Sequence, residues 1–408
     1  MTEAPVGVEN PARDEGPARD EGPEPVFSPL NAVHLAAGAS FTDFAGWQMP
    51  VRYTSDLAEH RAVRTAAGIF DLSHMAEISV AGPDAAAFLD FALAGLLSAT
   101  AVGQAKYSLL LDHDGGIIDD VVAYRTGETE FLVVANAGNH AVAVGALLKR
   151  AAGFDVLVSD VSDQLALIAV QGPAAREIVK ATAGIEFDAD TVDDHPLDSL
   201  KYYWCRPARY ANKPLLVART GYTGEDGFEL YVDVASAEAL WNAVVEAGVP
   251  LGLVPAGLAA RDTLRLEAGM PLYGHELGRA TRPAQAGLGR VVNFAKEDFV
   301  GRAALEAISE SADQGAGEMD PARVLVGLRG AGKRAARADY ELFETTESTT
   351  PIGVITSGVL SPTLGFPVAM AYLDPQFSAQ GTELSVDVRG TRLPLTVTAL
   401  PFYRRKRD

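Results

Sequence analysis

Two adjacent carboxylates, Asp119 and Asp120, sit inside an otherwise apolar run, Gly115-Gly-Ile-Ile-Asp-Asp-Val-Val-Ala-Tyr124. Successive side chains of a strand face opposite sides, so these two acids must part company. An ionised carboxylate turned inward without a partner is very costly, so the inward one needs a partner or a task. A positioned carboxylate can accept a proton, or stabilise positive charge as it develops on a reacting carbon. The plainer alternative is an edge strand with both acids in water. A second cluster is Arg219-Thr-Gly-Tyr-Thr-Gly-Glu-Asp-Gly-Phe-Glu-Leu230, where an apolar strand over 215–218 runs into three glycines and two acids. Glycines at that density let backbone approach a ligand closely. Glu229 opens the strand that leaves the turn, over 228–232; a carboxylate there can accept two neighbouring N–H donors as a pair. A helix over 255–269 then carries Arg261 and Arg265 one turn apart. Arg261 can neutralise Glu229 or donate to a ligand. The plainer readings are a half-exposed strand acid and a solvated helical arginine.

The elements that must position these groups can be read from periodicity. A strand over 76–80 is followed by Pro83, a helix start, and by apolar helical spacing over 85–97. Strands over 106–112, 117–124 and 130–136 follow, joined by tight turns at His113-Asp-Gly-Gly116 and near Gly127. A helix over 141–152 and a strand over 155–159 complete an α+β module, with its helices on one face of an antiparallel sheet. Further strands are expected over 165–171 and 215–218, and a helix over 237–247. Residues 307–320 are polar and contain glycines, which marks a linker. Beyond it, short strands over 324–328, 352–356, 368–372, 384–388 and 395–400 suggest a small all-β barrel or sandwich.

The bulk composition excludes several partners. The chain has 408 residues, 48% hydrophobic, with 54 acids against 34 Lys and Arg and a formal charge of −20. Nucleic acid needs a basic footprint that this balance does not offer. A single cysteine, Cys205, excludes an internal disulfide and a cysteine-built zinc site, and suits a reducing compartment. No apolar run is long enough to span a membrane. Residues 1–26 contain Pro-Ala-Arg-Asp-Glu-Gly twice in succession and too little apolar surface to bury, so they read as a disordered acidic tail. That stretch has the pattern of neither a secretory signal nor a transit peptide, and a cytoplasmic address is expected.

Two motifs mislead. Gly327-Leu-Arg-Gly-Ala-Gly-Lys333-Arg334 has phosphate-loop spacing but ends in arginine, where the magnesium ion requires a hydroxyl. A basic hairpin is the better reading. Gly330-Ala-Gly332 with Ala335 imitates a dinucleotide fingerprint without a βαβ context. The seven histidines have no metal-ligand spacing.

Eight stretches in order carry a resemblance that runs from about Ser28 to Arg405. They are Asp43-Phe-Ala-Gly-Trp-x-Met-Pro50, Asp71-Leu-Ser-His-Met75, Gln171-Gly-Pro173, the Gly221 loop, the Arg261 helix, Asp298-Phe-Val-Gly301, Thr356-Ser-Gly358 with Ser361-Pro-Thr363, and Pro401-Phe-Tyr403. Together they resemble the aminomethyltransferases, or T-proteins, of the glycine cleavage system. Gly289-Arg290 departs from the Ser-Trp common in that family, and the stretch before the last domain is long.

The resemblance implies an α+β fold of three domains around a folate-holding hole. Residues 27–306 would form two interleaved α+β domains, and 321–408 a β-barrel. It implies Asp120 as the catalytic acid, with Asp119 structural. Glu229, Arg261, Tyr222, Tyr107, Asn136, Met75 and Tyr403 would contact the folate. Tetrahydrofolate would be the co-substrate, with no metal, flavin or nicotinamide. The partner would be the lipoyl-carrying H-protein, with neither nucleic acid nor membrane. In the implied reaction folate N5 attacks the methylene of an aminomethyl-dihydrolipoyl group, ammonia leaves, N10 closes the ring and the thiol is released. The alternatives on the same fold are a folate-dependent demethylase, the folate half of a sarcosine-type oxidase, and a folate-sensing scaffold without turnover.

Overall fold

The computed structural model describes residues 24–187, 195–313 and 323–405. Two sheets face each other, and each carries its helices on the outer side. The first has five antiparallel strands in the order Ala105–Leu111, Ile117–Gly127, Glu130–Ala135, Ala76–Ala81 and Leu157–Asp160. Its strands read well from sequence because each alternates. Ala76, Ile78 and Val80 face the helices Ala85–Ala92 and His140–Arg150, burying Phe88, Leu89 and Leu147. The expected helix over 85–97 stops at Ala92, where the Lys296 ammonium caps it by donating to the carbonyls of Asp90, Leu93 and Gly95.

The second sheet has seven strands, in the order Ile185–Phe187, Cys205–Tyr210, Lys213–Ala218, Gly227–Asp233, Leu165–Gln171, Ala67–Asp71 and Leu253–Pro255. Its outer face packs on the helices Ala175–Ala181 and Ala237–Gly248 through Ile178, Leu240, Trp241 and Val244. The inner faces of the two sheets share a core of Phe70, Leu72, Leu132, Val134, Leu167, Ala218 and Tyr231. Each such side chain contributes roughly 1.5–3 kcal/mol by leaving water, so the sheets are held face to face.

Six strands close the C-terminal barrel, in the order Val324–Gly330, Pro367–Leu373, Gly353–Leu360, Glu341–Phe343, Glu383–Val388 and Thr391–Thr398. Glu341–Phe343 is too short to signal itself in the sequence. The helix Leu258–Glu267 runs between the barrel and the sheets, and Val26–Phe27 adds to the hairpin Ser40–Phe44 and Trp47–Arg52. Among the described residues no helix is long and apolar enough to cross a membrane.

Three expectations need correction. The helix Arg302–Asp313 occupies the first half of the stretch read as a linker, with an Arg302–Glu306 pair at 2.9 Å in its first turns; residues 314–320 lie outside the described residues. The tail expectation also falls outside them up to residue 23, whereas Val26 is a strand residue paired with Trp47. Gly327–Arg334 is no hairpin, because Val324–Gly330 pairs with Pro367–Leu373 and Thr391–Thr398 instead.

Candidate functional site

Between the two sheets lies a cavity of about 560 Å³, lined by Asp120, Glu229, Arg261 and mostly apolar or aromatic side chains. The strand Ile117–Gly127 is interior to its sheet, which rules out the edge-strand alternative. Asp120, Val122 and Tyr124 follow one another at the strand period, and all three line the cavity. Asp120 accepts hydrogen bonds from the Tyr107 hydroxyl at 3.0 Å and from Asn136 Nδ2 at 2.8 Å. Burial raises its pKa, and those two hydrogen bonds only partly offset the effect.

Asp119 is fully buried and does not line the cavity. It accepts from Asn136 N at 2.9 Å, Asn136 Nδ2 at 2.7 Å and Asn139 Nδ2 at 2.7 Å, so it ties down the turn after Glu130–Ala135. Burial, reinforced by the charge of Asp120, pushes its pKa up to about 7.

Glu229 is held by one of its oxygens. Oε2 accepts from Thr220 Oγ1 at 2.5 Å and from Tyr124 Oη at 3.0 Å, and Tyr231 supports Tyr124 at 3.1 Å. Oε1 takes no hydrogen bond from the described residues, so the carboxylate keeps one free acceptor rather than an open pair. Arg261 lies with its guanidinium 4.9 Å from the Tyr222 ring centroid, and its buried Nη1 has no hydrogen-bond partner among the described residues. Burial lowers the Arg261 pKa, and the negative charge of Glu229 opposes that. An orphaned buried donor costs about 1–3 kcal/mol, so the site is poised to accept a ligand that brings an acceptor.

The Gly221 loop meets the cavity at Thr220, Gly221 and Tyr222. Gly221 and Gly227 pack on the Gln171 side chain, where an added Cβ would fall 2.0 Å from Oε1 and 2.3 Å from Nε2. Gln171 Nε2 in turn donates to Thr220 O at 3.0 Å. These two glycines fix Thr220, and Gly221 also lies on the cavity wall between Thr220 and Tyr222. The two acids of the loop are also engaged: Asp226 forms a double contact with Arg219 at 2.8 Å, and Glu225 meets Arg64 at 3.0 Å.

Met75, Tyr107, Asn136 and Tyr222 join Asp120, Glu229 and Arg261 on the cavity wall. Tyr403 does not. Its ring lies 4.1 Å from the Arg64 guanidinium, and its backbone N–H donates to Glu267 O at 2.8 Å, which ties the C-terminal segment to the helix Leu258–Glu267. Sequence reasoning missed Tyr124, Thr220, Tyr231, Tyr203 and His74. The strand period from Asp120 reaches Tyr124, and that from Glu229 reaches Tyr231. His74 stands beside Met75 in the Asp71–Met75 stretch; burial forces its pKa down to about 4, with Asp71 opposing and the Arg261 charge adding to the fall.

Comparison with known proteins agrees with this architecture. Residues 30–296 match the GCVT N-terminal domain, and residues 323–404 the glycine cleavage T-protein C-terminal barrel domain. An aminomethyltransferase of Cutibacterium acnes is 57% identical over 379 residues, covering 93% of this chain and 98% of that protein. One from Streptomyces avermitilis is 54% identical over 385 residues, covering 94% and 99%. The crystal structure of glycine cleavage system aminomethyltransferase T from Bartonella henselae superposes with a TM-score of 0.82 at 37% identity, covering 92% of this chain and 98% of that one. Across sheets, cavity and barrel alike, the chain belongs to the glycine cleavage T-protein family of aminomethyltransferases.

Proposed function

We propose that the cavity between the sheets binds tetrahydrofolate, with Glu229 and Arg261 reading the pterin and Asp120 serving the transfer itself. The chain is an aminomethyltransferase of the glycine cleavage system, so the question is which groups do the work. The observation that carries this reading is the coexistence, in one largely apolar cavity, of an orphaned cationic donor on Arg261, a free acceptor on Glu229 and the hydrogen-bonded carboxylate of Asp120.

A pterin presents a carbonyl acceptor and N–H donors on one edge. Arg261 supplies a donor for the former, and Glu229 Oε1 accepts from the latter. Tyr222, Tyr107 and Met75 offer flat or polarisable surface to the ring system.

The reaction breaks the C–S and C–N bonds of the aminomethyl thioether and makes two C–N bonds to folate N5 and N10. Two protons leave the folate nitrogens; one ends on the thiol and one on ammonia. Positive charge develops on the methylene carbon as ammonia departs. Asp120 stabilises that charge and accepts a proton, directly or through water. Tyr107 and Asn136 hold its carboxylate in place, which avoids reorganisation during the step.

The carrier of the aminomethyl group is the lipoyl-bearing H-protein. We place its docking surface at the barrel end that bears Arg329, Lys333, Arg334 and Arg337. Lys333 and Arg337 donate to the carbonyls of Gly365 and Gly358, and Arg334 to that of Val388. None of the four forms an ion pair among the described residues, an unusual surplus in a chain of charge −20. A buried Cys205 suits a reducing compartment, and the cytoplasm belongs to the same reading. Equilibrium titration with tetrahydrofolate tests the cavity: Glu229→Ala and Arg261→Ala must both bind it more weakly, and unchanged affinity in both removes the pterin-reading role.

A further inference from the structure

Among the described residues the barrel contributes none of the cavity lining, yet two of its hydroxyls, those of Ser357 and Tyr372, are bonded to Glu276 behind the cavity wall, Tyr372 donating to Glu276 O at 2.7 Å. The strand Gly353–Leu360 pairs regularly with Pro367–Leu373 except for a bulge between Ile355 and Ser357. A bulge re-aims the side chain that follows it. Ser357, 5% exposed, accepts a hydrogen bond from Arg265 Nη2 at 2.8 Å and donates to Glu276 Oε1 at 2.6 Å. Arg265 Nη1 meets Glu276 Oε2 at 2.8 Å, which closes a buried triangle of Ser357, Arg265 and Glu276. The triangle grips the segment 269–273, all of which lines the cavity. Arg265 Nη1 donates to Met270 O at 3.3 Å, and Leu272 N donates to Glu276 Oε2 at 2.9 Å. Pro271 O, between them, accepts from the Tyr222 hydroxyl.

We infer that Ser357 is a positioning residue for the methylene transfer: through Arg265 and Glu276 it sets the 269–273 wall, so the barrel governs folate fit without touching folate. The inference rests on the cavity being the folate site. An arginine–carboxylate pair completes only some of its donors and acceptors. Without Ser357, Glu276 Oε1 loses its donor inside the protein and Arg265 Nη2 keeps only Asp262 Oδ1, at 2.8 Å, so the pair must shift to recover the lost bonds. Met270 and Leu272 are bonded to those same two side chains and shift with them.

The test is a pair of isosteric variants, Ser357→Thr and Ser357→Val, which add the same volume and differ by the hydroxyl. Tetrahydrofolate affinity is read by equilibrium titration, and turnover with aminomethylated H-protein at saturating folate. The Thr variant should bind folate nearly as the parent does. The Val variant should bind roughly tenfold more weakly, the effect of losing a charge-assisted hydrogen bond, with kcat largely kept and KM for folate raised. A role confined to barrel stability would lower the melting temperature of Val and leave its folate affinity equal to that of Thr; that result overturns the inference. Should the Val variant not fold, Glu276→Gln takes its place: it should weaken folate binding comparably, and parental affinity overturns the inference. Glu229→Ala and Arg261→Ala run alongside separate the two levels, since normal folate binding by both would remove the reading of the cavity on which the inference rests.

Discussion

Asp119 and Asp120 are sequence neighbours on one strand, yet Asp119 is spent on the amides of Asn136 and Asn139 while Asp120 reaches the cavity. Strand alternation separates them, and the chemistry follows the separation. Asp120→Asn keeps size and loses charge and basicity. It should retain the fold and folate affinity while lowering methylene transfer roughly 10²-fold or more, the range of general-base loss. Asp119→Asn should act mainly on the 136–139 turn, read as a lower melting temperature. A larger transfer defect for Asp119→Asn than for Asp120→Asn would reverse the assignment.

Pterin reading should depend on the groups that hold Glu229 as well as on Glu229. Glu229→Ala and Arg261→Ala should each cost about 1–3 kcal/mol of folate binding. Thr220→Val removes the 2.5 Å bond to Oε2 and should give a smaller loss of the same kind, seen by titration calorimetry.

The sequence made the strands legible because they alternate, and Asp120 because an acid in an apolar strand demands a partner. Tyr403 stands outside the cavity wall because its location depends on Arg64 and Glu267, far away in sequence, whereas its motif fixes only a position in the chain. The Gly221 loop reads as a ligand cradle and Gly221 does line the cavity, but the packing of its glycines is set far away in sequence. Gly221 and Gly227 answer to Gln171, about fifty residues earlier, and Gly224 to Ala268, and no local pattern reports such contacts. The helical start at Arg302 was hidden by the polar composition that suggested a linker.

Glu77 gives a pH signature unrelated to catalysis. It is fully buried, neither of its oxygens has a partner among the described residues, and burial, with Asp160 adding to it, raises its pKa well above that of an ordinary glutamate. The folded state therefore holds a proton that the unfolded chain releases above pH ~4.3. Stability from this group is complete below that pH and declines as pH rises toward the folded pKa. Glu77→Gln should flatten the decline, raising the melting temperature relative to the parent more at pH 8 than at pH 4. Parallel melting profiles for the two proteins would show that Glu77 does not titrate in this way.

Docking through the barrel cations should be salt-sensitive, because exposed charges are screened over ~10 Å at 0.1 M salt. Lys333→Glu combined with Arg334→Glu should raise KM for aminomethylated H-protein and leave folate affinity unchanged. Turnover with the H-protein should fall as salt rises, more steeply than folate binding does. An unchanged KM for the carrier would move the docking surface elsewhere.

The most direct test of the central claim is ammonia release from aminomethylated H-protein in a single turnover, with and without tetrahydrofolate, for the parent chain and Asp120→Asn. The parent should release ammonia rapidly only when folate is present, and the variant should bind folate as tightly while releasing ammonia far more slowly. Equal rates for the two proteins with folate bound would contradict the assignment of Asp120 to the transfer.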